Sequence, residues 1–114
     1  MKSFSFPKNE RLLNRKDFVN LNRSGKRHRT GHFIVLSKKN GLVITRLGIT
    51  VNKRIGNAVK RNRIKRLIRE FFRLNKESFQ EGCDVIVIAN RGAHELLFKD
   101  IEKELGSINI WLTK

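Results

Sequence analysis

The 114-residue sequence predicts an α+β sandwich, and three observations carry that expectation. Apolar residues at Ile64, Leu67, Ile68, Phe71 and Leu74 recur at helical spacing. Short apolar runs at Phe33 to Leu36 and at Cys83 to Ala89 have the length and flanking residues of strands. The order of elements is helix, strands, helix, strand, helix, so the last strand is reached through a helical crossover.

The elements follow in chain order. Ser3 to Asn9, with Phe4, Phe6 and the only proline, Pro7, reads as an extended arm that packs its aromatics. Asn14, with Asp17 three residues on, resembles a capping box opening a helix through Phe18, Val19 and Leu21 that stops near Gly25. Leu12 and Leu13 form a preceding turn of that element. Ser24 to Gly31 is a basic loop. His32 to Ser37 is a strand, Asn40-Gly41 carries the strongest short hairpin signal, and Leu42 to Val51 supplies one longer strand or two. Cys83 to Ala89 is another apolar run, bounded by Gly82 and Asn90, as a buried strand would be. Ala93 to Leu105 closes the fold as a helix with Leu96, Leu97, Ile101 and Leu105 on one face, and Trp111 packs as a tail. The length fits one domain over residues 1–114.

Charge narrows the partner. The net charge is +16, with 22 basic and 3 acidic residues through Lys76 but 4 and 7 thereafter. Such an excess implies a polyanion bound mainly by the first two thirds of the chain. No apolar run approaches the ~18 residues of a spanning helix, and the N-terminus lacks the apolar core of a signal peptide. A cytoplasmic protein without a membrane partner is expected. Cys83, the single cysteine, excludes an intramolecular disulfide and a cysteine zinc cage, and reads as a small buried residue.

The charge peaks between Lys53 and Lys76, where ten Lys or Arg residues meet one acid, Glu70. Asn57 is the expected N-cap of a helix starting at Ala58, with Gly56 as the turn before it. Asn62, Lys65, Arg66, Arg69 and Arg73 then fall opposite the apolar stripe. Lys60, Arg61 and Arg63 occupy the first turn, where the macrodipole is positive and each exposed cation costs about 0.3 to 1 kcal/mol. A helix built only for stability would avoid that placement. Free N–H groups at a helix start already attract phosphate, and the added cations fit a nucleic-acid backbone.

Catalytic chemistry is sparse. His28, His32 and His94 have no metalloprotease spacing, and no serine or cysteine signature surrounds them. Too few carboxylates lie in the basic portion for a two-metal nuclease, and Asp84 reads as a structural partner of a cation. Aromatic residues beside basic ones suit single-stranded RNA: Phe18 stands near Arg15 and Lys16, and Phe33 near Arg29. Core packing is the competing role for both rings. A structural protein of the ribosomal type would share the charge and size.

Gly56 to Glu70, with Arg61-Asn62-Arg63 at its heart, resembles the signature of the bacterial ribonuclease P protein component. Arg11-Leu12-Leu13, Asp17-Phe18 and Gly48-Ile49-Thr50-Val51 match the same family in order. The resemblance implies a fold like ribosomal protein S5 domain 2, with a small mixed sheet and a left-handed βαβ crossover around the basic helix. It also implies a subunit of a ribonucleoprotein endonuclease whose RNA subunit holds the catalytic centre and removes the 5′ leader of precursor tRNA. The protein alone is not expected to cleave. Carried over by position, Arg54, Asn57, Lys60, Arg61, Asn62, Arg63, Lys65, Arg66 and Arg69 face the catalytic RNA, while Arg15, Lys16, Phe18 and Phe33 meet the leader. Magnesium (Mg2+) is then held mainly by RNA and substrate phosphates rather than by a protein cage. No obligate protein partner is implied.

Overall fold

The most apolar strand organises the sheet. In the computed structural model, which describes residues 16, 19, 21, 23, 25–41, 44–75 and 82–108, four strands are ordered β1-β2-β4-β3. They are β1 (Lys26–Arg29), β2 (Phe33–Lys39), β3 (Arg46–Val51) and β4 (Cys83–Ala89). β4 pairs antiparallel with β2 and parallel with β3. Its run of apolar residues from Val85 to Ala89 fits that central position, since both of its faces are covered.

Helix α1 (Ala58–Leu74) forms the crossover from β3 to β4, and α2 (Phe98–Gly106) follows β4. Both pack on the sheet face that carries Phe33, Val35, Leu47, Val85, Val87 and Ala89. From α1, Ile64, Ile68, Phe71 and Phe72 are buried, and Ile101 and Leu105 come from α2. The buried stripe of α1 is rotated from the expected one. Phe72 enters the core with its ring edge-on to Phe71 at 5.6 Å, while Leu74 is left exposed. On the opposite sheet face a smaller cluster joins Leu36 and Ile86 to Leu21. Lys16, Val19, Leu21 and Arg23 have helical backbone, in keeping with the predicted first helix.

Three expectations are corrected. The basic loop contains a strand: β1 pairs with β2 from Lys26↔Ser37 to Arg29↔Ile34. Backbone bonding places it there, and with no apolar residue in the strand a hydrophobic pattern had nothing to report. Asn40-Gly41 does not join a hairpin, because β4 lies between β2 and β3. The Asn40 N–H instead donates to the Gly82 carbonyl at 2.7 Å. The last helix begins five residues later than expected. Ala93–Glu95 is a 3-10 turn, Leu96 and Leu97 are extended, and Asp100 Oδ2 accepts the Leu97 N–H at 3.0 Å to cap α2. The Ser3–Asn9 arm, Leu12 and Leu13, the Asn14–Asp17 cap and the Trp111 tail lie outside the described residues.

Candidate nucleic-acid interface

The basic helix is held by caps at its entry. Asn52 Oδ1 accepts the Arg54 N–H at 2.9 Å and closes the 3-10 turn Lys53–Ile55, whose Ile55 is buried as an anchor. Gly56 follows at φ 152°, a conformation open essentially to glycine alone. Asn57 Oδ1 then accepts the Lys60 N–H at 3.1 Å, so the predicted N-cap is real and this oxygen is engaged in capping. No acid stands in the first turn of α1.

Burial divides the predicted residues. Arg54, Asn57, Lys60, Asn62, Arg66 and Arg69 are exposed, while Arg61, Arg63 and Lys65 are half-buried. Asn62, Arg66 and Arg69 lie on the side of α1 turned away from Ile64 and Ile68, forming a stripe open to a ligand. Arg63 is tied to the fold, since its Nη1 donates to the His94 carbonyl at 2.9 Å. Arg73 leaves the cationic stripe because Glu70, the only acid on α1, takes its Nε at 2.9 Å and also pairs with its Nη2. Sequence reasoning missed Val59, which is 76% exposed beside this stripe. Its signal was an apolar residue out of phase with the core positions.

The residues expected at the leader are less alike than their grouping suggests. Lys16 is exposed on helical backbone, while Arg15 and Phe18 lie outside the described residues. Phe33 is a correction. It is 0% exposed within the main core, so its ring packs against the protein and offers no face to a base. Its place on an inward-facing position of β2, in register with Ala89 of the central strand, is the reason.

Two acids, Asp84 and Glu104, are engaged within the fold. Asp84, 6% exposed, receives Arg46 through two bonds of 2.8 and 2.7 Å and Asn40 Nδ2 at 2.8 Å. Glu104 Oε1 accepts Thr30 Oγ1 at 2.7 Å and the His32 N–H at 2.8 Å, with His32 Nδ1 2.6 Å from Oε2. Burial pushes the Glu104 carboxyl up, but these bonds and the neighbouring imidazole outweigh it and hold the group below the usual carboxylate range. Among the described residues no three His, Cys, Asp or Glu side chains gather as a metal-holding group. Burial raises the Cys83 thiol, an effect that outweighs Lys39, and a buried, protonated thiol is unreactive. Among the described residues no helix is long and apolar enough to cross a membrane.

Known proteins share this arrangement. The family model for ribonuclease P matches residues 6–111. The chain belongs to the ribonuclease P protein family. The ribonuclease P protein component of Syntrophus aciditrophicus is 46% identical over 114 residues, covering 100% of this chain and 93% of that protein. Its counterpart in Thermotoga maritima is 37% identical over 110 residues, 96% and 87% of the two chains. A solved ribonuclease P protein from Thermotoga maritima superposes with a TM-score of 0.80 at 36% identity, covering 90% of this chain and 96% of the other. A Staphylococcus aureus ribonuclease P protein, a mutant with defective mRNA degradation activity, gives 0.83 at 35% identity, covering 90% and 86%. The chain is thus a protein component of an endoribonuclease of tRNA processing, and its partner is RNA.

Proposed function

We propose that the outward face of α1 binds the catalytic RNA of ribonuclease P, and that the opposite side of the molecule meets the 5′ leader of precursor tRNA. The observation that carries the first half is the stripe Asn62, Arg66 and Arg69 on α1, with two further exposed cations, Arg54 and Lys60, at the entry to the helix. All five are exposed, and α1 has no acid in its first turn. Cations that raise the cost of an isolated helix are stabilised once phosphates lie against them.

The second half rests on placement. Leu21 seats its helical segment against Leu36 and Ile86, on the sheet face away from α1, and Lys16 of that segment is exposed. Arg15 and Phe18 flank Lys16 in the sequence and complete the leader contact in this reading. Cleavage belongs to the RNA subunit, with magnesium held by RNA and substrate phosphates, and the protein adds phosphate contacts and screens repulsion between the two RNAs.

Equilibrium binding to the assembled complex tests this reading. Precursor tRNA carrying a 5′ leader should bind more tightly than leaderless tRNA only when the chain is present. A leader preference that is the same without the chain refutes the substrate half, and an unshifted catalytic RNA in the chain's presence refutes the first.

A further inference from the structure

Strand β1 presents Lys26, Arg27, His28 and Arg29 in succession, all exposed, at a sheet edge. Strand alternation divides them between the two faces, Arg27 and Arg29 in register with Leu36 and Ile34, Lys26 and His28 with Ser37 and Val35. Neighbours on one face stand roughly 7 Å apart, a step comparable with that between phosphates of an extended nucleic-acid strand.

This run is fixed at both ends. Before it, the Gly25 N–H donates to the Leu21 carbonyl at 2.8 Å. A Cβ on Gly25 would stand 2.7 Å from that oxygen and 3.0 Å from the Ser37 carbonyl, so only glycine lets the chain enter the strand here. After it, the Thr30 N–H donates to the Phe33 carbonyl at 2.8 Å, and Thr30 and His32 both bond Glu104 of α2. Charged side chains, lysine above all, guard a sheet edge against pairing with another chain. Four consecutive basic residues on a strand tied at both ends also form a preorganised cationic ribbon.

We infer that β1 is a second phosphate-binding edge, which takes an RNA backbone segment other than the one on α1, so that one copy of the chain bridges two RNA segments. The inference rests on the RNA-binding reading above. β1 and β3 are opposite edges of the sheet, and α1 packs against β3. Three strand spacings and the thickness of a helix separate β1 from the outer stripe of α1 by more than about 15 Å. The bound segment comes from the catalytic RNA or from the precursor, which share the ribose-phosphate chemistry.

The test uses the full chain assembled with catalytic RNA and precursor tRNA. The variant Lys26→Gln/Arg27→Gln/Arg29→Gln should fold normally and lower the salt slope of binding by about 2 to 3. A hydroxyl-radical-generating iron chelate attached through His28→Cys should break RNA at nucleotides distinct from those broken from Val59→Cys. Breaks in the catalytic RNA or in the precursor identify which molecule lies on β1. An unchanged slope, no breaks from position 28, or the same breaks from both positions would overturn the inference. If Arg66→Gln/Arg69→Gln still lowers the slope, only the role of β1 falls; if both variants are silent, the RNA-binding reading falls with it.

Discussion

Neutralising Arg66 and Arg69 together separates a phosphate-binding stripe from a merely solvated one. Both side chains are exposed on the side of α1 away from the core, and glutamine removes the charge while keeping a similar helix preference. Stability should therefore change by no more than about 0.5 kcal/mol. If each cation meets one phosphate, the double variant should flatten the plot of log affinity against log salt by about 1.4 to 1.8. Over a fourfold rise in salt, the parent chain then loses about 7 to 12 times more affinity for the catalytic RNA than the variant does. Arg63→Gln should behave differently, because losing the bond to the His94 carbonyl costs about 1 to 2 kcal/mol of folding stability as well. Filter binding across a salt series, with thermal unfolding of each variant, measures both quantities. A normally folded Arg66→Gln/Arg69→Gln chain with an unaltered slope would refute the reasoning.

Three further outcomes follow from the packing. Phe33→Ala should cost about 3 to 5 kcal/mol in denaturant unfolding, while the remaining folded protein keeps its preference for leader-bearing precursor; a selective loss of that preference would return the ring to the substrate side. Arg46→Met removes the cationic partner of the buried Asp84 carboxylate and should destabilise the fold by about 3 kcal/mol, measured by the same unfolding. Glu104 has a depressed folded pKa, so its contribution is present above the unfolded carboxylate value and is lost as pH falls through the folded one. Thermal unfolding of Glu104→Gln should therefore show a deficit at neutral pH that closes in acid; a deficit of constant size at every pH would contradict the Thr30 and His32 bonding.

Helix α1 was legible because three signals agreed: the Asn57 cap, the Gly56 turn and a 3.6-residue apolar repeat. β4 was equally plain, since Val85 to Ala89 form the continuous apolar run of a central strand. β1 was not, because it has no buried residue and is defined by backbone pairing with β2. The position of β4 between β2 and β3 also escaped the sequence, as Asn40-Gly41 reports a local turn and says nothing about which strands later pair. Within the candidate site, charge clustering singled out α1 but could not divide its arginines. That division depends on contacts distant in sequence, such as Arg63 with His94, and on local pairing of Arg73 with Glu70. Phe33 shows the same limit from the other side: proximity to Arg29 in sequence suggested a base platform, but strand alternation turns its ring into the core.

The most direct measurement is reconstituted 5′ processing of precursor tRNA with cognate catalytic RNA across a magnesium series, with and without this chain. The chain alone should leave the precursor intact, and added to the RNA it should shift cleavage to lower magnesium. Hydrolysis by the purified chain, or a magnesium requirement that does not move when it is added, would contradict the account.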